Sequence, residues 1–197
     1  QTNSGLSAAR NAAIELGLRV WSDWRALYFL DADNRIERTF LKKALSALER
    51  SPETVGFAYP DVDMFGFQSC YDTSGPFSKL MLLTENYVEA GSLVSRRMLE
   101  AGIRFDESMK LGFEDWDFWL CAIDGGWTGV HVPAAGFKYR RRGESMLTES
   151  ERRRGEILSQ LRQKHTAKLL PRELLQLEHE EAPRFLFFDA NDRNSRS

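Results

Sequence analysis

The stretch Ala26-Leu27-Tyr28-Phe29-Leu30-Asp31-Ala32-Asp33-Asn34 decides how this chain is read. An unbroken apolar run stops at two aspartates and an asparagine. Such a run, bounded by turn formers, is how a buried strand of an α/β sheet reads. Asp and Asn suit the turn because their side chains bond their own backbone. Two carboxylates one residue apart, just past that strand, fall where open sheets hold ligands, in the crevice at the strands' carboxyl ends. Their oxygens suit a hard cation such as Mg²⁺ or Mn²⁺, which bridges to substrate phosphates. The same residues also make an ordinary solvated turn, so the D-x-D pattern alone leaves both readings open.

Working outward, residues 7–17 read as a helix capped by Ser7 and ended by Gly17. After the aspartates, Arg38 to Glu49 carries Phe40, Leu41, Ala44, Leu45 and Leu48 at helical spacing and stops at Pro52. A strand is expected over Thr54 to Tyr59. A loop or hairpin should follow over residues 60–80, broken by Gly66, Gly75 and Pro76. Tyr87 to Val94 reads as a strand, followed by a short helix capped by Ser95 and ended by Gly102. Glu114 to Ile123 is a mostly apolar helix closing at Gly125-Gly126. Two strands, Trp127 to Val132 and Phe137 to Tyr139, flank Pro133 and Gly136. Thr148 to Leu170 is helical and charged, closed by Pro171, with a second helix over Arg172 to Glu180. The Phe185-Leu186-Phe187-Phe188 run reads as a further strand or a tail on the core. Alternating strands and helices predict an α/β fold, with a core over 1–147 and a helical appendage and tail over 148–197.

Composition narrows the function. The chain has 197 residues, 42% hydrophobic and 28% charged, with 27 basic and 29 acidic side chains for a net charge of −2. A near-neutral chain is not built as a nucleic-acid binder. No apolar run approaches the roughly 20 residues of a membrane helix. Two isolated cysteines, Cys70 and Cys121, make neither a C-x-x-C metal pair nor a disulfide scaffold. A reducing compartment, the cytoplasm or its membrane face, is the expected location.

Three further segments bear chemistry. Gly112-Phe113-Glu114-Asp115-Trp116-Asp117-Phe118-Trp119 sets three carboxylates among aromatics at a helix start. The helix dipole alone favours acids there, yet burial beside aromatics also raises a carboxyl pKa, as a general base needs. Lys138-Tyr139-Arg140-Arg141-Arg142, if extended, sends Arg140 and Arg142 to one face, where guanidinium forks suit phosphate oxygens. Asn3-Ser4-Gly5-Leu6-Ser7-Ala8-Ala9-Arg10-Asn11 places Arg10 near a helix start. His165 and His179 read as solvated, His131 as a structural histidine, and Arg152-Arg153-Arg154 as a solvated helix face.

In order and spacing, these segments together resemble the family 2 glycosyltransferases of the GT-A fold. The resemblance rests on Asn3 to Asn11, on Leu30-Asp31-Ala32-Asp33, and on Phe105-Asp106-Glu107 ahead of Glu114-Asp115-Trp116-Asp117. It is completed by Tyr139-Arg140 leading to Ser145-Met146. It implies a Rossmann-like mixed sheet flanked by helices, truncated at its N-terminus by a missing nucleobase-binding βαβ segment. It implies transfer of a sugar from a nucleotide-sugar donor to an acceptor hydroxyl with inversion, as in polysaccharide biosynthesis. The acceptor would be a saccharide, a lipid-linked molecule or a protein. Arg10, Asp31, Asp33, Arg140 and Arg142 would bind the donor, with Asp33 holding Mg²⁺ or Mn²⁺. Asp115 would be the general base, and Glu114 would orient acceptor or base. Apart from the resemblance, Trp116 and Trp119 read as partly core, with Trp116 also a candidate to flank the acceptor sugar. Relatives often carry a His where Arg142 stands.

The alternatives are a degenerate module that binds sugar or a partner without turnover, and an aspartate-nucleophile phosphatase. The phosphatase motif wants Thr or Val where Arg35 stands. A truncated sheet would also bare a parallel edge, to be covered by a second copy of the chain or by the Phe185–Phe188 run.

Overall fold

The computed structural model describes residues 4–110, 112–143 and 152–186. Six strands form one mixed sheet: β1 (Ala26–Tyr28), β2 (Arg35–Ile36), β3 (Val55–Gly66), β4 (Cys70–Asp72), β5 (Leu93–Ser95) and β6 (Thr128–Arg141). The strand order is β1-β5-β3-β6-β2, with β4 hydrogen-bonded to β3 beyond its main pairing. Only β3 and β6 run parallel; the other pairs are antiparallel. Around the sheet lie α1 (Leu6–Val20), α2 (Phe40–Arg50), α3 (Lys79–Thr84), α4 (Arg96–Glu100) and α5 (Glu114–Asp124). The described chain closes with α6 (Arg154–Lys164), a 3₁₀ turn (Thr166–Leu169) and α7 (Pro171–Leu186).

Alternation along β3 builds two cores. Phe57 and Tyr59 point to one face and join Ile14, Leu82, Met98, Trp116, Phe118 and Trp119. Ala58 and Val62 point to the other and meet Phe40, Ala44 and Leu48 of α2, since side chains on a strand alternate between faces. Helix α2 thus covers one side of the sheet, and α1, α3, α4 and α5 cover the other. Ile157 and Leu161 of α6, 0% and 3% exposed, belong to the same core as α5.

Several elements depart from the sequence reading. The strand ending in D-x-D is shorter than expected and only half-buried. It ends the strand order and pairs antiparallel with β5, so the edge is not a parallel one. Helix α1 runs through Gly17 to Val20, because the Gly17 carbonyl accepts from Trp21 N and Trp24 Nε1. Strand β3 runs past the expected Tyr59 end through Pro60 to Gly66, and β4 pairs back on it, giving the hairpin expected within residues 60–80. Pro60 sits at a register shift, from Pro60↔Val132 to Val62↔Phe137, the kind of place where proline's missing N–H is tolerated.

The two strands expected around Pro133 and Gly136 are one irregular strand. Residues 133–136 bulge out, with Ala134 and Gly136 at φ 49° and 90°. Asp61, 4% exposed, closes this bulge by accepting from Ala134 N, Tyr71 Oη and Ser74 N, with His131 Nε2 at 2.7 Å. His131, also stacked on Tyr59, is structural as read. The strand expected over Tyr87 to Val94 shrinks to Leu93–Ser95, and residues 85–92 become a loop. That loop presses so closely on Phe137 that a Cβ at Gly91 would lie 2.5 Å from its ring. The long charged helix breaks after Lys164, its described part beginning within residues 152–154. Leu186 ends α7 rather than a strand. Asn3, Ser145, Met146, Phe187 and Phe188 lie outside the described residues.

Candidate active site

The ends of β1, β3 and β6, the loop 85–90, and the N-termini of α1, α5 and α6 enclose a cleft of about 680 Å³. Asp31 and Asp33 enter it because the chain turns immediately after β1, with Asn34 N bonding Asp31 O at 3.1 Å. That turn is pinned to β6: Asn34, 9% exposed, accepts from Arg140 N at 3.0 Å. Arg140 Nε reaches Asp33 O at 3.3 Å, and its guanidinium lies 4.7 Å over the Phe65 ring. Arg142 pairs with the Asp33 carboxylate at 2.8 Å. Both of these arginines therefore sit on the D-x-D turn, as alternation along β6 predicts.

Arg10 is 6% exposed. It donates to Glu114 at 2.8 Å and to Asp31 at 3.3 Å, and lies 5.1 Å over the Phe105 ring. It ties the D-x-D turn to α5 while still lining the cleft. Asn11 fixes the segment before α5 by exchanging bonds with Phe105 N and O. Gly112 and Phe113, at φ 103° and 55°, turn the chain sharply into α5. A bulky residue with positive φ is an outlier that surrounding structure must hold. Here Phe113 is held edge-on against Trp116.

Asp115 is half-buried on the cleft wall. Its Oδ1 accepts from Trp116 N at 2.8 Å and from Asn86 Nδ2 at 3.2 Å. Burial, then the charge of Glu114, pushes its pKa up to about 6, against the pull of Asn86, Trp116 N and Arg10. Glu89 lines the same wall, and burial with the Asp115 and Asp31 charges raises it to about 8. Carboxyls with raised pKa gathered in a cleft make it a candidate site for proton transfer.

Trp116 departs from its expected role. It is 1% exposed, donates Nε1 to Leu82 O at 2.7 Å and does not line the cleft. Its spacing put it next to Asp115 in sequence, but the helix turns it into the core. Reasoning from sequence also missed Asn34, Asn86, Glu89, Arg141 and Arg154, all but Asn34 on the cleft wall. Arg141 and Arg154 lie within the arginine runs already noted, whereas Asn34, Asn86 and Glu89 take their places from residues far along the chain.

His165 also departs from expectation. It is 4% exposed, with Nε2 3.0 Å from Asp117 and Nδ1 2.7 Å from Asp124. Two carboxylates, one at each ring nitrogen, call for the imidazolium, which alone donates from both. Burial lowers the His165 pKa, but the two bonded aspartates outweigh it and lift it to about 9. Lys164 adds bonds to Asp106 at 2.6 Å and Asp117 at 2.8 Å. Asp117, Cys121 and His165 bring ligand atoms within 4.8 Å of one another. Lys164 already supplies the cation there, and burial raises the Cys121 thiol to about 12. The cluster is an ion-paired lock between α5 and the C-terminal helices.

At Asp33 the donor set is a single carboxylate, one-third exposed in the cleft. That fits Mg²⁺ or Mn²⁺ held by one or two protein carboxylates, with substrate phosphates and water completing the shell. The exposed Arg142 pair is weak enough to yield to such a ligand.

No protein-family model matches the sequence, and no curated protein matches it. Solved structures do. The fold is a GT-A-type glycosyltransferase fold. The similar structures are of S. aureus TarS, residues 1–349. The uncomplexed structure is 17% identical with a TM-score of 0.53, over 71% of this chain and 42% of that one. The complex with UDP-GlcNAc is 14% identical with a TM-score of 0.55, over 74% and 41%. The complex with UDP is 16% identical with a TM-score of 0.54, over 94% and 59%. The chain thus spans less than two thirds of each TarS chain. Among the described residues, no helix is long and apolar enough to cross a membrane.

Proposed function

We propose that the cleft is the site of an inverting glycosyltransferase that takes its sugar from a nucleotide-sugar donor. The observation that carries this reading is Asp115. It is a carboxyl raised to about 6, on the wall of a cleft that also holds Asp31, Asp33, Arg140 and Arg142. The likeness to a fold solved with UDP-GlcNAc and with UDP supports it.

In this reading the acceptor hydroxyl oxygen attacks the anomeric carbon from the side opposite the diphosphate. The new glycosidic bond forms as the bond from carbon to the diphosphate oxygen breaks, which inverts the centre. Asp115 takes the hydroxyl proton, and a base with a pKa near the working pH is the efficient choice. Asn86 and Trp116 N hold one Asp115 oxygen and leave the other for the acceptor. Arg140 and Arg142 meet the charge that develops on the leaving diphosphate. Asp33 would hold Mg²⁺ or Mn²⁺, which supplies further charge neutralisation at the phosphates. Arg10 braces Asp31 and Glu114. The acceptor, a saccharide, lipid-linked molecule or protein, would enter along the 85–90 loop.

Calorimetric titration with UDP and Mn²⁺ tests this. Binding is expected, weakened by EDTA and by Asp33→Ala. Absence of UDP binding with and without Mn²⁺ overturns the donor reading. Equal affinity with and without Mn²⁺ overturns the metal role alone.

A further inference from the structure

We propose that Glu181, on α7, is a positioning residue of the cleft, holding Asp115 in place by way of α3. The proposal rests on the reading of Asp115 as the base and adds to it a residue that does not line the cleft.

Helix α3 has six residues, and helices shorter than about 12 residues are marginal in water unless packing or caps support them. Every helix start leaves four N–H groups with no partner inside the helix. In α3 these belong to Ser78, Lys79, Leu80 and Met81. Glu181 accepts from Lys79 N at 3.0 Å on one carboxylate oxygen and from Leu80 N at 3.2 Å on the other. Met81 N donates to Ser78 Oγ at 3.0 Å, and that hydroxyl in turn donates to Glu181 at 2.6 Å. Ser78 N donates to Tyr87 Oη at 2.8 Å, and Tyr87 lines the cleft. Three of these groups thus depend on one carboxylate. Glu181 and Ser78 are 4% and 1% exposed, so water has little access to replace their bonds.

The far end of α3 meets Asp115 by two routes. The Leu82 carbonyl accepts from Trp116 Nε1 at 2.7 Å, and Trp116 N donates to Asp115 Oδ1 at 2.8 Å. Two residues past the end of α3, Asn86 Nδ2 donates to the same oxygen at 3.2 Å. Both donors that hold Asp115 are therefore tied to the helix that Glu181 starts. Asp115 also faces the charges of Glu114, of Arg10 on α1 and of Glu89 in the 85–90 loop.

Removing the Glu181 carboxylate has two effects of opposite sign on Asp115. Loss of a negative charge, acting through space, eases the ionisation of Asp115 and lowers its pKa. Release of α3 draws Asn86 away from the ionised carboxylate and raises it. A positioning role means that the second effect prevails.

A ¹³C-carboxyl NMR titration of the full chain reads this, with the Asp115 signal identified by its absence in Asp115→Asn. The wild-type midpoint is expected at about 6. In Glu181→Ala it should rise by about one pH unit, the share of one hydrogen bond to a charged group. Asn86→Ala should raise it by a similar amount. The double variant should rise no further than Asn86→Ala, because both changes remove the same bond. Glu181→Gln, which keeps the shape but has a single accepting oxygen, should rise by less, and it carries the test where the alanine variant does not fold. An unmoved or lowered midpoint in the Glu181 variants, with a lower melting temperature, overturns the proposal, since it reports a fastener that leaves Asp115 alone. Additive rises in the double variant overturn it as well. Near-normal turnover of Asp115→Asn would instead overturn the base reading itself, a result read from transfer and not from titration.

Discussion

Asp115 and Asp117 stand two residues apart on α5 and live in opposite chemistries. Two residues are roughly 200° around a helix, so the first faces the cleft and the second the C-terminal helices. Asp115 accepts from an amide side chain and a backbone N–H, and burial without a cation of its own raises its pKa to about 6. Asp117 is 0% exposed and bonded by both Lys164 and His165. A buried carboxylate with two cations is a fastener, whereas one left to neutral donors keeps its proton within reach of reaction. What separates them is the partner, and partners are set by which way the helix turns each side chain.

The sharpest way to break this contrast is Asp115→Asn, which keeps shape and loses the base. Sugar transfer should fall about 10²–10⁴-fold, with UDP affinity nearly unchanged by calorimetry. Near-normal turnover would remove Asp115 from the base role. The mirror experiment is Asp117→Asn, which strands the Lys164 and His165 charges. Removing one partner of a buried ion pair costs about 3–5 kcal/mol. Urea unfolding should show that loss, and an unchanged midpoint would mean that water screens the cluster.

A pH titration sharpens the comparison further. His165 is held near 9 against an ordinary value near 6.5, so its stabilisation is complete below about pH 6.5 and is lost as pH rises through 9. The difference amounts to about 3 kcal/mol. Thermal melts of wild type should decline over that window, and His165→Gln should lie lower and flat. Turnover responds in the other direction at the other face: it should fall as pH drops below about 6 and Asp115 takes up its proton. The smallest effect is expected for Asn86→Ala. Losing one bond to the ionised carboxylate should shift that acid limb to higher pH and slow turnover about fivefold at neutral pH. An unmoved acid limb would mean that Trp116 N alone holds the base.

Much of this was legible in the sequence for local reasons. The apolar run before Asp31 and the acid-rich start of α5 are contiguous signals, and the structure brings both to one cleft. The Ser95 cap is equally local, and its hydroxyl accepts from Met98 N as read. The passage of β3 through Pro60 was hidden. It depends on Asp61 gathering donors from Tyr71, Ser74 and Ala134, three separate stretches of chain. The burial of His165 was hidden for the same reason, since its aspartates lie 48 and 41 residues away. Trp116 misled through its neighbours: residues adjacent in sequence lie roughly 100° apart around a helix, enough to turn Trp116 into the core while Asp115 faces the cleft. Glu89 fell within the expected strand Tyr87 to Val94 and Asn86 just before it, but residues 85–92 form a loop that packs against Phe137 at Gly91.

The Glu181 carboxylate, 4% exposed, bonds Ser78 Oγ, Lys79 N and Leu80 N at the start of α3. Helix α3 leads directly to Asn86 and is tied to α5 through Trp116 Nε1 and Leu82 O. The acid that finishes this helix is thus made 102 residues after the Lys79 amide it satisfies. At translation rates of about 5–20 residues per second, that is a wait of about 5–20 s. During synthesis the wall that holds Asp115 must therefore stand without this fastening. The D-x-D turn waits as well, since Asn34 and Asp33 take their partners from Arg140 and Arg142, so both walls of the cleft are completed only late in synthesis.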